Sequence, residues 1–429
     1  MYFFYFYPLG LDRPLRRPPV LTITLMAVMA VGFIWLRYLP RAAGFDPWWL
    51  VFFPGQPPWW SVGTAVFMHA GWLHLVGNLL YLWVFAPPLE DRLGRARFFL
   101  VAMICGVAGN LVHAAVSLLG WMGQGGMGVM GASGAIAGLL GFSLLRLYDA
   151  RLQVAWWVLA PLVGQNRAGR SRIPLWGAVA VWVLWQLVQA LLAGETGSTV
   201  SFGAHLGGVA AGIGLALLLG EHRKGREEAC LRRGESYRAQ GHFHAAAGEL
   251  SGYVESRPDD PDGRRELARA LLLSGDATGA GREYRKAADL WLAAGRIDLM
   301  LEAADEWIRQ CGGQALRPEE LAGIAFYREK SLDHAGAREA YRQLYEAYPR
   351  HPEGHRALVR LVVLCRGKLA DPVAALRWLE EARDSLPPGS WRDYLSREFA
   401  LPAGPDGAWR SDPVPAGSGR PGAGSSLRP

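Results

Sequence analysis

Four polar side chains stand where an apolar segment has least use for them: Ser133, His205, His74 and Asn78. Ser133 lies in Gly131-Ala132-Ser133-Gly134, between an uncharged Gly-rich run (Gly120–Met130) and an apolar helix expected over Ala132–Tyr148. A hydroxyl there either caps the helix or attacks a carbonyl. As a nucleophile it needs a base to take its proton. The helix N-terminus behind it offers free N–H groups and a positive dipole end, which suit a developing oxyanion. The base on offer is His205, in Gly203-Ala204-His205-Leu206-Gly207-Gly208. Gly208 and Gly212 follow His205 on its helix, and Gly134 and Gly138 stand on the serine's. Such small-residue faces let two helices pack backbone to backbone, which would bring His205 against Ser133. The stretch Phe67–Asn78 then offers His74 and Asn78 at i, i+4, on one face of a helix. An amide and an imidazole N–H are both donors able to hold an oxyanion. Each residue also has a purely structural use, as a cap or an interhelical hydrogen bond. His69 is expected to orient the loop before the His74 helix, and His113, which has no motif around it, to be core.

These residues need membrane-depth helices to hold them. The chain has 429 residues, 51% hydrophobic and 19% charged, and the balance is uneven. Residues 1–220 are apolar; residues 221–400 are dense in Arg, Glu and Ala. A span needs about 20 apolar residues. Six candidates follow: Pro19–Tyr38, Ser61–Ala86, Phe98–Leu119, the short Ala132–Tyr148, Pro174–Ala193 and Phe202–Gly220. Basic residues cluster before the first and after the second, fourth and sixth, so both termini are expected in the cytoplasm. Leu152–Val163 is too short to cross comfortably and reads as an interfacial segment. The aromatic loop Pro40–Trp60 reads as a belt at the membrane surface or a loop dipping into the outer leaflet.

After Gly220 the pattern becomes amphipathic and repetitive. Gly241 and Gly275 stand 34 residues apart, as do Ala246 and Ala280. That period resembles tetratricopeptide repeats, with the register broken over Trp291–Gln310. Residues 403–429 are Pro/Gly/Ser-rich and expected to be disordered. The four cysteines show no CxxC or zinc spacing. The net charge of +7 lies largely beside the spans, which reads as topology and not as nucleic-acid binding.

Taken together, residues 1–220 resemble the rhomboid family of intramembrane serine proteases. The resemblance rests on His74-x-x-x-Asn78 in the second span, Gly131-x-Ser133-Gly134 opening the fourth, and Ala204-His205-x-x-Gly208 in the sixth. Glu90, Gly94 and Phe98, at the start of the third span, also match. The Trp-Arg pair that many members carry after the first span is absent from Pro40–Trp60. The resemblance implies a Ser133–His205 dyad, with oxyanion donors at His74, Asn78 and the Ser133 N–H beside Gly131. Gly134, Gly208 and His69 give structural support, and no metal or cofactor is needed.

The expected fold is all-α: a six-helix membrane bundle (1–222), a cytosolic repeat domain (223–400) and a tail (401–429). The expected substrates are transmembrane helices of other proteins in the lipid bilayer, cut near their outer ends. A cytosolic protein or peptide is the expected partner of the repeats, and a bacterial plasma membrane the expected location. Two other readings compete, a catalytically silent relative that binds membrane proteins and a membrane-anchored repeat scaffold. The first predicts loss of the serine or histidine, and a bare anchor has no need of buried Ser, His and Asn. A transporter would want inverted repeats and charged midplane residues, which are not seen.

Overall fold

The computed structural model describes residues 3–38, 47–56, 58–119, 128–160, 165–196, 201–311 and 316–399. The tail (401–429), Gly120–Met127 of the Gly-rich run and part of Pro40–Trp60 lie outside the described residues. The chain forms two compact units, Met1–Arg232 and Arg233–Pro429.

In the first unit, apolar helices stand at all six expected places. They are α1 (Val20–Tyr38), α3 (Trp72–Leu93), α4 (Arg95–Leu118), α5 (Ser133–Arg146), α6 (Leu175–Thr196) and α7 (Phe202–Leu218). By length and composition α1, α3 and α4 can each cross a membrane. α7 qualifies only together with α8 (Glu221–Ala239), across a 74° bend; α5 and the apolar part of α6 are shorter.

The expected second span is broken. A short helix, α2 (Ser61–Thr64), and a 3-10 turn (Ala65–Phe67) are followed by extended backbone at Met68 and Gly71, and α3 starts only at Trp72. His74 therefore sits in the first turn of α3, next to the loop that holds His69.

The Glu90-Gly94-Phe98 pattern has a mechanical reading. Glu90 accepts hydrogen bonds from the Leu21 and Thr22 N–H groups (2.8 and 2.7 Å) and from the Thr22 hydroxyl (2.7 Å). It thus satisfies orphan donors at the start of α1. Gly94 takes φ +75° in the turn from α3 to α4, and Phe98 is fully buried.

The all-α expectation misses a three-stranded antiparallel sheet in the order β1 (Phe3–Leu11), β2 (Arg151–Ala160), β3 (Gln165–Pro174). The Leu152–Val163 segment is largely β2. Its side chains alternate, with Leu152 and Val154 buried and Arg151 and Trp157 exposed, which is the period of a strand rather than of an interfacial helix. The aromatic-rich β1 fits a pleated, half-buried surface.

The second unit is a run of helices from α9 (Phe243–Ser256) through α10 (Pro261–Leu273), α11 (Ala277–Ala293) and α12 (Ile297–Cys311). It continues through α13 (Pro318–Lys330), α14 (His334–Ala347), α15 (Pro352–Arg366), α16 (Pro372–Ser385) and α17 (Ser390–Glu398). One turn recurs. Gly241, Gly275, Leu332 and Ala370 all have positive φ, and each precedes a buried alanine by five residues: Ala246, Ala280, Ala337 and Ala375. Asp276, Asp333 and Asp371 cap the helices that follow by accepting from the N–H three residues on.

Candidate active site

Two helices, α5 and α7, meet backbone to backbone. A Cβ placed on Gly208 would lie 2.2 Å from the Gly134 carbonyl oxygen, and one on Gly212 only 1.9 Å from that of Gly138. No side chain fits there, so both glycines are needed for the approach. The contact begins at Gly134 and Ala204, whose neighbours in sequence are Ser133 and His205. Ser133 is the first residue of α5 and half-buried. His205 lies in the first turn of α7 and is 9% exposed. Both therefore stand at the same end of one tightly packed helix pair.

The loop entering α5 is pinned on two sides. Val129 forms a β-bridge with Phe52, and the Gly131 N–H donates to the Ala65 carbonyl at 2.8 Å. Gly131 takes φ +119°, a conformation open mainly to glycine. A Cβ there would also lie 2.6 Å from His74 Nε2 and 3.4 Å from Asn78 Nδ2. The His74 and Asn78 side chains thus converge on the backbone two residues before Ser133. The Ala70 N–H donates to His74 Nδ1 in a long bond of 3.5 Å, and the other ring nitrogen, Nε2, faces Gly131. Asn78 is 7% exposed and its Nδ2 has no partner. A buried donor left unpaired costs about 1–3 kcal/mol.

His69 donates through Nδ1 to the Phe67 carbonyl (3.2 Å), and its ring lies 5.3 Å from that of His74. It is joined to the loop before α3, not to Ser133. His113, fully buried on α4, has a more specific place than core filling: its Nδ1 meets the Ser201 hydroxyl at 2.6 Å. Ser201 in turn caps α7 by accepting from the Ala204 N–H. His113 therefore fixes the turn that carries His205.

Two residues outside the sequence motifs complete the surroundings of His205. Gln186 on α6 is 7% exposed, and its Oε1 lies 2.7 Å from His205 Nδ1. Trp182, one turn earlier, brings its ring to 5.7 Å from the imidazole. An amide oxygen at that place makes Nδ1 the protonated nitrogen and leaves the Nε2 lone pair to accept a proton. The signal was present in the sequence: Gln186 is one of two glutamines, with Gln189, in an otherwise apolar, uncharged run. Nothing in its spacing linked it to His205. Trp182 also lines an apolar cavity of about 560 Å³, together with Tyr81 and Phe85 of α3, Leu140 of α5 and Phe6 of β1.

Residues 56–222 match the model of the rhomboid domain. This chain carries a rhomboid domain. Residues 231–294 match a tetratricopeptide repeat, which agrees with the helical repeats of the second unit.

Among curated proteins, rhomboid protease GlpG of Serratia proteamaculans (strain 568) is 26% identical over 216 residues, 48% of this chain and 66% of that protein. Rhomboid-like protease 3 of Toxoplasma gondii is 30% identical over 157 residues, 36% of this chain and 50% of that protein. Rhomboid protease GluP of Bacillus subtilis (strain 168) is 32% identical over 62 residues, 14% of this chain and 12% of that protein. The chain thus spans between 12% and 66% of these relatives' own lengths. With its apolar helices, the rhomboid domain makes this an integral membrane protein.

At the opposite end of α5 the rhomboid domain closes with charge. Arg146, nearly fully buried, ion-pairs with Glu221 (2.8 Å) and Glu228 (2.5 Å) of α8. Arg92 shares Glu228 at 3.2 Å. Burial pushes the Glu228 carboxyl up, but hydrogen bonds and charges from Arg146 and Arg92 outweigh that and hold it below the usual range.

Proposed function

We propose that the rhomboid domain is an intramembrane serine endopeptidase in which Ser133 is the nucleophile and His205 its base. The observation that carries this reading is the convergence at Gly131. His74 Nε2 and the Asn78 amide face one spot, two residues before Ser133 and at the positive end of α5. Groups aimed that way, the Asn78 amide having no partner among the described residues, suit a carbonyl oxygen that gains charge on attack.

The chemistry follows from the side chains. His205 Nε2 takes the Ser133 proton as Oγ attacks the scissile carbonyl. The Ser133 N–H, His74 and Asn78 stabilise the oxyanion. The imidazolium then returns its proton to the leaving amine, and water hydrolyses the acyl-enzyme by the same path. Gln186 is a positioning residue that keeps the proton on Nδ1 through the cycle. The apolar cavity beside Trp182 suits a substrate that is itself a transmembrane helix, cut near its outer end.

The proposal extends to topology and organisation. Residues 1–222 form a six-crossing membrane domain with both termini in the cytoplasm, in a bacterial plasma membrane. Residues 223–400 form a repeat domain that engages a cytosolic segment of a partner or substrate.

The test is labelling of detergent-solubilised protein by a fluorophosphonate, compared with Ser133→Ala and His205→Ala. The wild type is expected to label, and both variants to lose the label. Equal labelling of all three would overturn the assignment and favour a silent binding protein.

A further inference from the structure

The three-stranded sheet has no part in the chemistry, and its composition is unusual. Arg151, Arg167, Arg170 and Arg172 are all exposed. The strands β1, β2 and β3 contain no acidic residue, and among the described residues no carboxylate pairs with any of the four. Arg13, Arg92, Arg146 and Arg232 of the same unit, by contrast, each sit on an Asp or Glu.

The sheet is aromatic as well as basic. Directly opposed residues share a face. One row joins Tyr7, Ala155 and Arg170; the next joins Tyr5, Trp157 and Ala168. Tyr5 stacks on Trp157 at 5.4 Å, and Tyr5, Tyr7 and Trp157 are 42%, 58% and 42% exposed. Cations interleaved with exposed Tyr and Trp are the composition of a membrane–water boundary.

Position agrees with composition. β3 ends at Pro174 and the apolar α6 begins at Leu175, whose N–H donates to Ala150 just before β2. The sheet therefore starts where the apolar helices stop, at the Arg146 end of α5. On its other side Leu11, Leu152 and Val154 anchor it in the same apolar core as α3 and α5.

We propose that this sheet is a docking surface for the anionic phospholipid headgroups of the leaflet at that end of the bundle. Arg170 and Arg172, which share the face of Tyr5, Tyr7 and Trp157, reach headgroup phosphates, and the aromatic side chains lie at the depth of the glycerol and upper acyl region. The occupant is lipid because the face is apolar and cationic together and is joined to membrane helices at both ends of the β2–β3 hairpin. A free anion would use the arginines and leave the aromatic residues in water. The inference does not depend on the protease reading.

The experiment is native mass spectrometry of the full chain in mild detergent, titrated with phosphatidylglycerol or phosphatidylcholine. The wild type is expected to hold phosphatidylglycerol in preference. Each basic residue near an anionic surface is worth roughly fivefold, so the double change Arg170→Gln, Arg172→Gln should weaken that binding by about 25-fold. The matching double change to Lys should keep most of it. A control double change of exposed arginines elsewhere, Arg95→Gln, Arg97→Gln, should cost clearly less.

Equal binding of the two lipids by the wild type would overturn the proposal without any variant. So would an equal loss in the control pair, or full displacement of the lipid by millimolar inorganic phosphate.

Discussion

Replacing Gln186 with Leu tests the proposed chemistry at a residue that touches no substrate. In the resting protein its Oε1 lies 2.7 Å from His205 Nδ1, with both side chains buried. Leu has nearly the same volume and no acceptor, so the change removes one hydrogen bond and little packing. When His205 takes the Ser133 proton it becomes a cation, and the bond to Gln186 becomes charge-assisted. An interaction that strengthens in the transition state acts on kcat and not on KM. Hydrogen bonds to charged groups contribute roughly 1.5–3 kcal/mol, which is about 10- to 150-fold in rate. The neutral enzyme adds to this effect, because without the acceptor the proton is free to move to Nε2 and block the base.

The assay is cleavage of a fluorogenic transmembrane peptide in proteoliposomes, with kcat and KM separated and thermal unfolding as the folding control. Gln186→Leu should lower kcat by that factor and leave KM within about twofold, on the grounds that no contact with the substrate is lost. Gln186→Glu keeps an acceptor oxygen and should retain most of the rate. An unchanged kcat in Gln186→Leu would refute the argument, and so would a loss confined to KM.

Other outcomes follow from the same geometry. Gly131→Ala places a methyl 2.6 Å from His74 Nε2 at φ +119° and should displace an oxyanion donor, slowing fluorophosphonate labelling by about 10²–10³ while the protein stays folded. Leu332 is 77% exposed and held at φ 65°. Leu332→Gly should therefore stabilise the repeat unit by about 0.5–1 kcal/mol in thermal unfolding, the αL cost of about 1–2 less glycine's entropic cost. Glu306 is buried between Arg265, Arg269 and Tyr284. Burial raises its pKa, but hydrogen bonds from Arg269, Arg265 and Tyr284 outweigh that and hold it at about 2. A depressed carboxylate pKa gives stability that is complete above the ordinary 4.5 and is lost as pH falls from there through 2, on the order of 3 kcal/mol. Hydrogen-exchange protection of α10–α12 in the full chain should fall over that window, and Glu306→Gln should flatten the slope.

What could be read from the sequence was what glycine and polarity advertise. Gly134, Gly138, Gly208 and Gly212 announced the α5–α7 contact, and at Gly208 and Gly212 the close backbone approach leaves no room for a side chain. Ser133, His74 and Asn78 stood out against apolar neighbours. Gln186 stood out equally, but its partner is 19 residues away on another helix, and no spacing rule connects the two. The sheet was missed for a different reason: β1 is an apolar aromatic run with no partner nearby in sequence, and β2 pairs with it across some 140 residues. The repeats faded for a third reason. The turn persists at Leu332 and Ala370 with the backbone of Gly241 and Gly275 but without the glycine, so the 34-residue signal disappears while the geometry continues. In each case the lost information is a tertiary contact that overrides a local preference. Those are the positions where substitution should be most informative: Gln186 for the base, the arginines of β3 for the membrane surface, and Leu332 for the repeat.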